Sequence, residues 1–194
     1  MIHRDVKPEN ILYSKEGVAK LCDFGFAKKI GRLGDRTYTF CGTPEYVPPE
    51  IILNKGHDFT ADLWALGIFI YELTTGTPPF NFNDNMQTYR AALRGVALQG
   101  FGSADRVSRG TKEMILSLAK EQPMQRLGAG RGGFNDIRRH KWFRSFDFDG
   151  LLRRKLEAPY VPKLENNFDT SMFDPFGEDD DIPDDEMSGW DRDF

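Results

Sequence analysis

Leu63-Trp64-Ala65-Leu66-Gly67-Ile68-Phe69-Ile70-Tyr71 is the most apolar stretch of the chain, closed by Asp62 on one side and Glu72 on the other. A helix over this run is apolar on every face, which suits the middle of a domain and not its surface. It is too short to cross a bilayer, which takes about 20 apolar residues. The rest of the chain must therefore wrap around it, and 194 residues suffice for one sizeable core. Thr60 as N-cap and Gly76 as stop set its expected limits at 60–75.

Further helices are expected at 49–54, 86–94, 109–120 and 134–142. In the third of these, Met114, Ile115, Leu118 and Ala119 share one face, with Ser108 as cap. Ile11–Tyr13 and Ala19–Cys22 read as two short strands around the loop Ser14–Gly17. Residues 26–48 carry Gly, Thr, Pro and charge without periodicity. They read as one long loop, and long loops in compact domains are usually functional. Pro78-Pro79 and Pro123 punctuate the connections, and no internal repeat is visible. The fold class is mainly α with short β-hairpins. The body ends near Phe143 and a tail follows.

The net charge of −4 hides a split: residues 165–194 hold twelve Asp or Glu against one Arg, and residues 1–164 hold eighteen against twenty-five Lys or Arg. Such a tail is either a solvated charge run or a segment lying on a basic body. Interleaved Phe168, Phe173, Phe176, Trp190 and Phe194 favour the second reading, because disordered tails are poor in aromatics. The basic body has no Arg-rich stripe and no stacking motif, so no nucleic-acid partner is expected. Cys22 and Cys41 lack metal-ligand spacing, and their small number suits a reducing, cytoplasmic setting. Neither a secretory signal nor a transmembrane segment is expected.

The chemistry concentrates in two motifs, His3-Arg4-Asp5-Val6-Lys7-Pro8-Glu9-Asn10 and Asp23-Phe24-Gly25. An aspartate for a reacting hydroxyl, with an asparagine and a second aspartate as hard oxygen ligands for magnesium, are the parts phosphoryl transfer needs. Cys41-Gly42-Thr43-Pro44-Glu45-Tyr46 and Pro49-Glu50 follow in order. Together these resemble the catalytic loop, metal loop and activation segment of eukaryotic protein kinases, for which this arrangement is already known.

The resemblance implies roles residue by residue. Asp5 orients the substrate hydroxyl or takes its proton. Lys7 stands beside the transferring phosphate and marks Ser/Thr kinases, and Thr43 touches both. Asn10 and Asp23 hold Mg2+ and, through it, ATP. Thr37–Glu45 is similar to the activation segment of the AGC group, in which Thr39 is phosphorylated and Arg4 and Lys28 receive the phosphate. Glu50 and Arg126 form a buried structural ion pair, and Asp62 braces the catalytic-loop backbone. Glu9 and Glu72 hold an arginine upstream of the target residue, which implies protein substrates with basic residues before Ser or Thr. Phe40, Pro44 and Val47 line the apolar pocket just after it. Glu157–Pro162 and Phe168–Asp174 look like the AGC C-terminal extension, where Phe173 reaches the adenine or packs in a core. Ile51–Phe59 and Ser188–Phe194 are similar to cGMP-dependent protein kinases.

Several family parts are not in the sequence: the Gly-rich loop, the strand lysine and its helix glutamate, the hinge, and the cyclic-nucleotide modules through which cGMP would act. Gly128–Gly133 lies between helices and reads as a flexible turn. Pro48, Arg131 and Gln122-Pro123 depart from the usual family residues. The expected organisation is an incomplete kinase large lobe over 1–143 followed by a tail over 144–194. The chain is then a shortened form of an active enzyme or, alternatively, an inactive piece that binds or regulates. Alone, it is expected to bind ATP poorly and transfer no phosphate.

Overall fold

A computed structural model describes residues 1–31, 34–98, 100–101 and 107–175. Phe176, the acidic run that follows it, Trp190 and the Ser188–Phe194 ending lie outside the described residues.

The described chain is mainly helical: α1 (Pro49–Ile52), α2 (Thr60–Thr75), α3 (Asn85–Arg94), α4 (Arg109–Leu118), α5 (Phe134–Arg138) and α6 (Phe148–Leu152). Helix α2 is the central one, with Trp64 and Ile68 sealed from solvent. It stops at Gly76, whose φ of 90° lets its N–H return to Glu72 O. Its start differs from the expectation. Thr60 is the first helical residue, and the Asp58 carboxylate accepts from both its N–H (2.9 Å) and its Oγ1 (2.6 Å).

Helix α4 packs on α2 with Met114, Ile115 and Leu118 fully buried. The approach is close at Gly67, where a Cβ would stand 3.0 Å from the Ala119 Cβ. Ser108 caps α4 by accepting from Thr111 N (3.1 Å), and Asp84 caps α3 by accepting from Met86 N (3.0 Å). The expected helix at 134–142 is broken. Helix α5 ends at Arg138, and His140 Nδ1 caps a separate 3-10 turn, Lys141–Phe143. The stretch expected to begin the tail also contains structure. Asp147 caps α6, and Phe148 packs edge to face on both Phe143 and Phe146, which lie tilted to each other.

One antiparallel hairpin is described, β1 (Ile11–Tyr13) with β2 (Ala19–Leu21), in the register Ile11–Leu21 and Tyr13–Ala19. Its loop is one residue longer than expected, Ser14–Val18. Gly17 within it has φ +78°, and a Cβ there would fall 2.3 Å from Tyr160 O, so only glycine fits. The long loop over 26–48 is tied down by two isolated bridges, Ile2–Lys28 and Thr37–His57, and by a 3-10 turn at Pro44–Tyr46.

The chain divides into two compact units, Met1–Pro162 and Lys163–Phe194. In the second, Asn166 and Asp169 close local turns onto Phe168 N and Ser171 N, and Phe173 N bonds Thr170 O. Among the described residues no helix is long and apolar enough to cross a membrane.

Candidate active site

The His3–Asn10 segment has little regular structure, so its shape comes from side-chain bonds. Arg4 takes a left-handed φ of 72°, uncommon for a side chain with a Cβ. What over-determines that turn is Asp62 on the first turn of α2. Its Oδ2 accepts from His3 N and its Oδ1 from Arg4 N, each at 2.8 Å. The central helix thus braces the loop that bears the candidate catalytic residues.

Asp5 is 4 % exposed and densely bonded. Its Oδ1 accepts from Thr43 Oγ1 (2.7 Å) and Thr43 N (3.0 Å). Its Oδ2 lies 3.2 Å from Lys7 Nζ and accepts from Asn10 Nδ2 at 3.1 Å. Lys7 Nζ also donates to Thr43 Oγ1 (2.8 Å), and Asn10 Nδ2 to Asp5 O (2.8 Å). Burial pushes the Asp5 carboxyl up, but the bonds from Thr43 and Lys7, with the charge of Lys7, outweigh it and hold the group below its ordinary range. Asp5, Lys7, Asn10 and Thr43 therefore form one network around an ionised carboxylate.

Asp23 adjoins that network. Cys22 N donates to Asn10 O (2.9 Å), and His3 Nε2 bonds Cys22 O (3.1 Å). On the other side the Phe24 ring meets the His3 ring edge-on at 5.1 Å. Asp23 is held between these ties with a φ of 53°, its Oδ1 accepting from Gly25 N (3.0 Å). Among the described residues no hydrogen bond joins it to Asp5, Lys7 or Asn10. Asn10 Oδ1 and Asp23 Oδ2 make no hydrogen bond among the described residues, and both are hard oxygen donors of the kind magnesium takes. No group of three His, Cys, Asp or Glu there could form a metal cage.

Other candidates take different places. Arg126 holds Glu50 with two bonds, Nη1–Oε1 at 2.6 Å and Nη2–Oε2 at 2.7 Å, and reaches Thr60 O and Lys120 O at 2.8 Å. Both side chains are buried. Lys28 Nζ donates to Thr37 Oγ1 (2.9 Å), while Thr39 is exposed. Arg4 Nε donates to Phe26 O (2.6 Å). Glu72 accepts from Tyr46 Oη. The Tyr46 phenol is pushed up by burial, by that bond, and by the charges of Glu72, Glu9 and Glu45. The charges of Glu9 and Glu72 thus both act on the Tyr46 phenol, and among the described residues Glu72 alone bonds it. Phe40 is exposed and edge-on to Tyr89 (5.7 Å), and Pro44 opens the 3-10 turn. Val47 is buried against Ile51 and Ala61.

The sequence reading assigned no role to Glu45, Tyr46 or His57. Glu45 and Tyr46 could have been found as an acid and an aromatic beside Thr43 in one motif. Nothing local marks His57, which meets Thr37 through a long-range bridge.

The protein kinase domain family matches residues 1–143 of the chain. Among curated proteins, the cGMP-dependent protein kinase egl-4 of Caenorhabditis elegans is 50% identical over 194 residues, covering 100% of this chain and 25% of the relative. Human cGMP-dependent protein kinase 2 is 48% identical over the same 194 residues, also 25% of its length. A Drosophila melanogaster relative, cGMP-dependent protein kinase, isozyme 1, is 50% identical, again with 25% of its length covered. The chain spans about a quarter of the length of the curated relatives it matches.

Proposed function

This chain belongs to the protein kinase family, and from that premise we propose that it supplies the catalytic and substrate-orienting residues of an ATP-dependent Ser/Thr kinase of the cGMP-dependent type. The observation that carries the reading is the closed network of Asp5, Lys7, Asn10 and Thr43. It presents an ionised carboxylate, an ammonium group and an amide oxygen from one loop.

Bound Mg2+ and ATP would supply the phosphoryl group and neutralise its charge. Asn10 Oδ1 and Asp23 Oδ2 would hold the cation, with phosphate oxygens and water completing its shell. Asp5 orients the hydroxyl of the target Ser or Thr. As that oxygen bonds to the γ-phosphorus and the bridge to ADP breaks, the hydroxyl proton passes to Asp5 and then to solvent. A carboxyl held below its usual range is a weak base, so orientation is its larger contribution. Lys7 stands beside the transferring phosphate. Glu9 and Glu72 select arginine upstream of the target, and Phe40, Pro44 and Val47 line the apolar pocket for the residue after it.

We assign 1–143 to a kinase large lobe and the remainder to an AGC-type tail. Regulation by cGMP would act through modules outside these 194 residues. Two unpaired cysteines suit a cytoplasmic setting. The test is radiolabelled phosphate transfer to an Arg-Arg-x-Ser peptide by the complete kinase polypeptide. Transfer should fall by about 10²–10⁴-fold with Asp5→Asn and vanish with Ala in place of the target Ser; transfer undiminished by Asp5→Asn overturns the assignment.

A second reading, that the 194-residue chain alone binds without catalysing, is favoured by the exposed apolar side chains Leu12, Tyr13, Leu21, Phe24 and Phe26 beside the site. The same assay on the isolated chain decides it: no transfer is expected, and turnover would refute the second reading.

A further inference from the structure

Among the described residues, the buried nitrogens Arg4 Nη1 and His57 Nε2, beside the catalytic loop, have no hydrogen-bond partner. His57 is 2 % exposed. Its main chain is fully used, since its N–H and C=O pair with Thr37 O and N at 2.9 Å each. Leaving such a ring nitrogen unpaired forfeits its hydration with nothing in return, so a partner belongs there.

The charges nearby indicate which partner. Thr37 Oγ1 accepts from Lys28 Nζ at 2.9 Å. Four residues on, burial pushes the Cys41 thiol up while the charges of Arg4 and Lys28 pull it down. Residue 37 thus contacts the Lys28 cation, residue 41 lies near both Arg4 and Lys28, and Thr39 stands midway between them in the chain, exposed. A phosphate on Thr39 would bring three acceptor oxygens to nitrogens that now lack a partner among the described residues, Arg4 Nη1 as donor and His57 Nε2 as donor in its Nε2–H form.

We propose that His57 is a further ligand of the Thr39 phosphate, donating Nε2–H to one of its oxygens beside Arg4 Nη1. This rests on the reading that Thr39 is phosphorylated, and it adds a ligand drawn from beyond the activation segment. His57 acts as a positioning residue: it ties the phosphate to the segment between α1 and α2. In the unmodified chain, burial and Arg4 hold the imidazole below its usual range, against Glu50, Asp58 and Asp62, which act the other way. A dianionic phosphate at Nε2 adds an opposite charge and raises the ring's pKa.

The test installs phosphothreonine at position 39 of the full chain by genetic encoding and follows the His57 ring nitrogens by NMR titration. His57→Gln identifies the His57 signals. The expected result is a rise in the His57 pKa of about one unit or more on phosphorylation. An unchanged pKa and tautomer would overturn the proposal. In parallel, His57→Phe should speed phosphatase removal of the Thr39 phosphate about 10-fold, as loss of one charge-assisted bond implies, and His57→Gln should restore protection. Equal rates in all three would count against it. Should His57→Phe fail to fold, the titration of the unsubstituted chain decides alone. Because the phosphate is installed, a negative result leaves open whether Thr39 is modified natively, which mass spectrometry of the native protein answers separately.

Discussion

Thr43 Oγ1 donates to Asp5 Oδ1 across 2.7 Å, and the Thr43 N–H reaches the same oxygen at 3.0 Å. One residue of the long 26–48 loop thus fixes the orientation of the candidate catalytic carboxylate, and Lys7 closes the triangle by bonding both partners.

Removing the hydroxyl with Thr43→Val should move the Asp5 pKa upward. Its folded-state value is depressed, so its contribution to stability is present above the unfolded pKa of about 3.9 and is lost as pH falls through the folded value. The variant should lose stability at a higher pH than the parent during acid titration. Carboxylate NMR and acid unfolding curves check this; coincident curves would rule it out. In the complete kinase, Asp5→Asn should lower turnover by about 10²–10⁴-fold.

Glu50 and Arg126 form a buried pair with two parallel bonds. Arg126→Met alone leaves an unpaired buried carboxylate and should cost about 3–5 kcal/mol. Adding Glu50→Leu should recover most of that loss. Urea midpoints at constant slope provide the measurement, and a double variant no more stable than the single one contradicts the account.

Asp62→Ala should orphan the N–H groups of His3 and Arg4, at about 1–3 kcal/mol each. Asp62→Asn, which keeps one acceptor oxygen, should fall between. Amide exchange at His3 and Arg4 reports the effect locally, and should accelerate before global unfolding does.

Glu72 accepts from Tyr46 within an acidic neighbourhood shared with Glu9 and Glu45. In the complete kinase, Glu72→Gln should raise KM for an Arg-Arg-x-Ser peptide about 10-fold, consistent with loss of one charge-assisted bond. KM for a peptide lacking the arginines should not change. An equal rise for both peptides would mean that Glu72 supports the fold and does not read the substrate.

Helix α2 was legible because an apolar run with no polar face has only one place to go. Helix α4 was legible because Met114, Ile115 and Leu118 recur at helical spacing behind a serine cap. Less legible was where helices start and break. Thr60 and Asp58 are both capping types two residues apart, and only the geometry shows that Asp58 accepts. Phe134–Trp142 reads as one helix, but His140 opens a new turn inside it. Helix α6 was hidden because five residues around a glycine carry almost no periodic signal.

By itself, the order of residues in His3–Asn10 and Asp23–Gly25 determined which side chains are the candidates for chemistry, because those motifs are short and local. Tertiary structure alone decided what each of them touches: Asp5 meets Thr43 across 38 positions, Arg4 meets Asp62 across 58, and Glu50 meets Arg126 across 76. Buried charges and backbone groups must find partners, and no local pattern encodes a partner that distant, so folding around the central helix selects it.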